Sequence, residues 1–180
     1  MFKNTWKKVM ALLAALVLVT GVGSSLVFAQ EEIAEPALEV SSFELFWPVV
    51  AGRTKGDSLY PIKMLKEKLR GALIFGSFKK VEYDVFLTTK RVIEAEALFN
   101  SGKQELANET LDLALDRLEA AQNRLGKIAA ADKAGTIVDE VNNKLNNLEV
   151  FLPRLISQNE ASKDKLQEVL ERIQNLNQNI

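Results

Sequence analysis

From residue 57 to the C-terminus, apolar residues recur every three or four positions and no window alternates as a strand would. That period, sustained for more than one hundred residues, restricts the chain to packed helices. Phe78, Val81, Val85, Thr88, Val92, Ala95 and Phe99 form one such stripe, with Phe86, Ile93 and Leu98 widening it beyond a simple coiled-coil seam. Ala107, Leu111, Ala114, Leu118, Ala121, Leu125 and Ile128 form the next, alternating small and large side chains that suit close helix approach. A third runs through Ala134, Val138, Val141, Leu145, Leu148, Leu152 and Leu155, and a last one through Leu166, Val169, Ile173, Leu176 and Ile180. Pro153 lies inside the third pattern and is expected to bend or break that helix about one turn earlier.

Upstream, "GDSLYPIKMLKEKLR" (residues 56–70) marks where the first long helix begins. Asp57 or Ser58 supplies the N-cap, Pro61 falls in the first turn, and Ile62, Leu65, Leu69 and Leu73 are expected to face the core. Leu59 and Tyr60 then pack back under the aromatic cluster Phe43, Phe46 and Trp47, while Lys63 stands in solvent. Those rings either cap one end of the core or form an exposed patch for a partner. Short breaks at 76–77, 100–102 and 130–132, the last with Asp132 as a cap, make successive helices antiparallel neighbours. The fold class is therefore all-α, an antiparallel bundle of about five helices.

The N-terminus is a separate matter. Lys3, Lys7 and Lys8 precede the apolar run Val9–Val19, and small residues follow up to "LVFAQ". This is the pattern of a secretory signal peptide with cleavage between Ala29 and Gln30. Retained, the same segment would just span a bilayer and anchor the protein. The expected organisation is a signal peptide at 1–29 and an irregular leader with the aromatic cluster at 30–55. A three-helix domain at 56–130 and a C-terminal helical hairpin at 131–180 complete it.

Composition closes several chemistries. The chain has no histidine and no cysteine, so imidazole or thiolate nucleophiles, haem ligation by histidine and the usual structural zinc sites are excluded. Without cysteine, stability outside the cell must come from packing. Loss of the three signal lysines leaves 20 basic and 24 acidic residues, a net charge of −4 with no basic stripe for nucleic acid. Glu94 and Glu96 point to different helix faces and lack the histidines of a di-metal carboxylate bundle. No catalytic, cofactor-binding or metal-binding residue is expected.

Two charged groupings remain. Arg91 and Glu94, one helical step apart, form either a weak intrahelical pair or a partly buried pair that fixes a neighbouring helix in register. Lys63, Lys66, Lys68, Arg70, Lys79 and Lys80, opposed only by Glu67, make the first helix and its turn basic. Such a face is ordinarily solvated, and could rest on anionic lipid or wall polymer.

The stretches "GDSLYPIKMLKEKLRGAL" and "KRVIEAEALFNSGK" resemble an uncharacterised family of exported helical domains of actinobacteria and candidate bacterial phyla, a domain of unknown function. Leu59, Tyr60 and Lys63 match the Leu-Tyr-x-x-Lys part of its Asp-Ser-x-Leu-Tyr-x-x-Lys motif, with Asp57 and Ser58 one position closer; Arg91, Glu94, Ala95, Leu98 and Gly102 match the Arg-x-x-Glu-Ala helix and following turn. Gly56-Asp57 stands where the family has Pro-Asp, and the resemblance covers about residues 43–128. It implies export and helices and no particular activity. The expected protein is an exported, non-enzymatic helical bundle of the cell envelope or the exterior, acting through an envelope protein or surface polymer. The alternative is a signal-anchored membrane scaffold or regulator whose bundle faces outward.

Overall fold

The computed structural model describes residues 41–128 and 135–180, all within the compact unit Leu38–Ile180. The signal segment, its Ala29–Gln30 junction and the cap at Asp132 lie outside the described residues. Six α-helices and no strand occur among them: α1 (Ser42–Phe46), α2 (Tyr60–Ala72), α3 (Ser77–Asn100), α4 (Gln104–Leu125), α5 (Thr136–Gln158) and α6 (Lys163–Gln178). A 3-10 turn at Glu160–Ser162 joins the last two. The fold is all-α, as the periodicity requires. The one unforeseen element is α1, a short helix inside the leader, capped by Ser41, whose hydroxyl accepts from the Phe43 N–H at 3.2 Å.

Helices α3 and α4 form the largest pair, α5 and α6 the second, and each pair packs on the other. The turn between α3 and α4 is three residues long because Gly102 adopts φ +70°, where a side chain would be strained. The Lys103 N–H then reaches back to the Leu98 carbonyl at 2.9 Å, closing the helix end. The expected stripes of α3 to α6 form the interior: Val85, Val92, Leu111, Leu118, Leu145, Leu152, Leu166 and Ile173 are all buried. Helix α5 runs unbroken to Gln158 with Pro153 inside it, so of the expected bend or break the break does not occur. Pro153 points to solvent while Phe151, Leu152 and Leu155 are buried, so packing outweighs one missing backbone bond.

Buried acids of α3 set the register between helices. Asp84 accepts from Arg124 Nε at 2.8 Å and from Arg117 at 3.4 Å, both on α4; Glu96 pairs with Arg154 of α5 at 3.2 Å. The aromatic leader divides. Phe46 enters the core edge-on to Phe151, with centroids 5.5 Å apart, whereas Phe43 and Trp47 pack on each other at 4.8 Å and stay exposed. Asn147 Nδ2 donates to the Leu45 carbonyl at 2.8 Å and fastens α1 to α5.

Helix α2 departs from the expected arrangement. The contiguous apolar core draws on α1, α3, α4, α5 and α6, and on nothing from α2. Ile62, Leu65, Leu69 and Leu73, expected to be buried, are 51%, 57%, 57% and 73% exposed, and Phe75 beyond the helix is 82% exposed. At about 100° per residue, these four lie opposite the face formed by Tyr60, Met64, Glu67 and Gly71. It is this second face that meets α3. The Tyr83 hydroxyl donates to the Glu67 carbonyl at 2.9 Å, and a Cβ at Gly71 would stand 3.1 Å from the Tyr83 ring.

Candidate functional site

The face of α2 that meets α3 is a cluster of charges. Arg91 is 1% exposed and Glu94 fully buried, both on α3; Glu67 of α2 is nearly so. Arg91 holds Glu94 with one terminal nitrogen and Glu67 with the other, and the second also lies 3.3 Å from Met64 Sδ. Lys63 of α2 bridges to the other oxygen of Glu94, and Lys90 of α3 pairs with Glu67 at 2.9 Å. Three cations thus alternate with two carboxylates across the α2–α3 interface. The intrahelical Arg91–Glu94 pair is buried, and each of its members also binds a residue of α2.

Lys63 is not in solvent. Besides Glu94, its ammonium donates to the carbonyls of Arg53 and, at 3.3 Å, Ala51, so it draws the leader, α2 and α3 together. Burial pushes its pKa down, against the pull of Glu94. Burial likewise pushes the Glu94 carboxyl up, against Arg91 and Lys63. For Arg91, burial opposes the charge, but Glu94 and Glu67 more than offset it and leave the guanidinium held above its ordinary value. Each carboxylate is ion-paired with two cations, so the cluster acts as a clamp between α2 and α3.

Tyr60 lies beneath the clamp. Lys63 Nζ and the Arg91 guanidinium carbon stand 5.1 and 5.9 Å from its ring centroid, an arrangement favourable to both cations. Its packing partners are therefore these charges. The hydroxyl is buried with no hydrogen-bond partner of good geometry, the Glu94 carboxylate being its polar neighbour. Burial first, then Glu94 and Glu67 acting against Arg91, push its pKa up from 10.0 to about 12. A phenol with a raised folded pKa contributes stability fully present below pH 10 and lost as pH climbs toward 12. Tyr60→Phe removes an unsatisfied hydroxyl, so its stability at neutral pH is expected to equal or exceed that of the parent. Its urea midpoint should also lose much of the alkaline fall between pH 10 and 12 that the parent shows. Tyr60→Ala is expected to lose about 3–5 kcal/mol. A Phe variant as weak as the Ala variant would mean that the hydroxyl, and not the ring, holds α2.

The other motif residues serve the approach to α2. The helix begins at Tyr60 with Leu59 as its formal cap, two positions later than a cap at Asp57 would place it. Asp57 acts one turn before. Its carboxylate accepts from the Leu59 N–H at 2.8 Å and pairs with Arg53 at 3.0 Å, and both hold its pKa below the ordinary range, the Leu59 bond most. Ser58 and Leu59 form the exposed turn itself, Leu59 with 41% of its surface open. The structure thus gathers Tyr60, Lys63, Arg91 and Glu94 into one cluster and leaves Asp57, Ser58 and Leu59 at its edge. Glu67, Lys90 and Tyr83 complete the cluster and were not singled out by spacing. One signal for Glu67 existed: a lone acid in a cationic helix, one turn from Lys63 and two from Tyr60.

A groove of about 600 Å³ runs beside the clamp, between α2, α3 and the segment at 50–53. Arg53, Lys66, Arg70 and Lys90 line it together with Ile62 and Phe86. The Arg70 guanidinium carbon lies 5.7 Å from the Tyr83 ring centroid and 5.8 Å from that of Phe86. Among the described residues, Lys66 and Lys68 make no ion pair.

These features define a class: a helical bundle carrying a first long helix that is clamped by buried charge and turns its apolar face outward. The chain belongs to the family described as Domain of unknown function (DUF5667), whose profile matches residues 52–179. The match runs past residue 128 and takes in both C-terminal helices, so the family unit is larger than the motifs alone suggest. Comparison with curated proteins and with solved structures gave no match. Among the described residues, no helix is long and apolar enough to cross a membrane.

Proposed function

We propose that this is an exported, non-enzymatic interaction module of the cell envelope, and that the outward face of α2 is its working surface. The observation that carries this reading is the exposure of Ile62, Leu65, Leu69, Leu73 and Phe75 on a helix whose opposite face is locked by charge. Several large apolar side chains exposed along one helix face and flanked by polar groups mark a contact surface. The same helix could have buried these leucines at no cost in propensity, yet it buries a lysine and a glutamate instead. Export is supported by the basic, apolar and small-residue order of residues 1–29.

The test is fractionation of bacterial cells that express the full chain. The protein is expected outside the cytoplasm, with Gln30 as its N-terminus by mass spectrometry, and partly bound to envelope material. Leu65→Asn/Leu69→Asn changes only exposed side chains. It should keep the melting temperature within about 2–4 °C, as surface changes do, and should release the protein from the envelope fraction. A cytoplasmic chain that retains Met1 would defeat the export part. A double variant that still sediments with the envelope would defeat the docking part.

A further inference from the structure

We infer that the outward face of α2 binds an anionic lipid surface, lying in the plane of the bilayer boundary with phosphate-bearing headgroups against its cationic flanks. This rests on the docking reading above and names its occupant.

The argument is one of charge and geometry. Between Tyr60 and Lys80 the chain carries six cations and a single acid; that acid, Glu67, and one of the cations, Lys63, are engaged in the clamp, which leaves five cations and no acid. The exposed part of α2 and its turn therefore presents apolar and positive groups and no negative one. At about 100° per residue, Lys66 and Arg70 stand on one side of the Ile62–Leu65–Leu69–Leu73 stripe and Lys68 on the other. Cations on both edges of an apolar stripe fit a layer whose apolar interior lies just beneath a negative plane. A second copy of this chain does not fit, because its stripe would bring the same cations face to face. The groove adds depth on one side, where Lys66 and Arg70 stand beside Ile62 and Phe86, with Arg53 and Lys90 paired to Asp57 and Glu67. A phosphate-bearing headgroup there would meet cations while its chains meet the stripe. The clamp makes this possible. With Lys63, Glu67 and Arg91 engaged inward, α2 is held to the bundle without using its apolar face.

The absence of cysteine allows a clean test on the full chain. A single Leu69→Cys substitution, labelled with an environment-sensitive fluorophore, reports from the middle of the stripe whatever the N-terminal segment does. Glu119→Cys, exposed on α4, is the control. With vesicles of phosphatidylglycerol and phosphatidylcholine, the label at 69 is expected to shift to the blue and brighten several-fold, and the label at 119 to stay unchanged. Vesicles of phosphatidylcholine alone should give little response, and salt should reverse the shift. Lys66→Gln/Arg70→Gln should weaken the response by about 30-fold, the worth of two charges near such a surface.

An equal shift on both kinds of vesicle would overturn the anionic assignment. No shift on either would overturn lipid as the occupant. If Leu65→Asn/Leu69→Asn still releases the protein from envelope material, the docking surface would then stand with a protein partner. A label at 69 already blue without vesicles would also overturn it, showing the stripe covered by a second copy or by the acidic leader. Sedimentation separates those two.

Discussion

Arg91→Met is expected to release α2 from the bundle while leaving the bundle folded. The substitution removes the guanidinium that joins Glu67 and Glu94 and leaves each buried carboxylate with a single lysine, Lys90 and Lys63. Removing one member of a buried charge network costs up to about 3–5 kcal/mol. The chain can escape that cost by letting α2 move away and hydrating the acids, since the contiguous apolar core takes nothing from α2. The amides of Tyr60–Ala72 should therefore exchange roughly two to three orders of magnitude faster. Those in the middle of α3, α4 and α6 should change little. Replacing Lys63 and Lys90 together with Arg91, Glu67 and Glu94 by apolar residues should restore slow exchange in α2, because no charge of the clamp is then left without a partner. Uniform acceleration in every helix would mean that α2 and the bundle open as one unit.

Leu118→Asp is expected to act in the opposite manner. Leu118 is buried in the α4 stripe among the apolar side chains of the core. A carboxylate there has no cation to meet, and relief comes only by opening the core. A loss of about 3–5 kcal/mol is expected, read as a lowered denaturant midpoint that coincides when followed by circular dichroism and by tryptophan fluorescence. An unchanged midpoint would show that this stripe is not core. Together the two variants separate what holds the bundle from what holds α2.

The contrast also explains what was legible in the sequence. The stripes of α3 to α6 translate directly into burial because each of those helices has neighbours on its apolar side, so period and environment coincide. Helix α2 has the same period and an apolar stripe as clear as any, yet periodicity states only that two faces differ. Which face turns inward depends on what the neighbour offers, and α3 offers Arg91, Glu94 and Tyr83. Lys63 was misplaced in solvent for the same reason: its partner Glu94 is 31 residues away. Glu67 and Arg91 are 24 apart on different helices. Pairing at that distance is a property of the fold. The Arg91–Glu94 spacing, by contrast, is local, and it pointed to the right helix. Pro153 misled because its backbone cost was weighed without the apolar contacts on either side of it.

The attachment of α1 to α5 has a consequence for how the chain reaches its final form. Phe46 and the Leu45 carbonyl meet Phe151 and Asn147, the last contact spanning 102 positions. Closing so long a loop carries an entropic cost that grows only with the logarithm of its length, but it cannot be made until both ends exist. In chain order α1 precedes α3 and α4 and the α5 site follows them, so as the chain emerges α1 must wait while α3 and α4 pair through their three-residue turn. A chain cut short before Asn147 would keep that early pair and leave Phe46 with nowhere to dock. The segment that begins the domain is thus the one that completes it.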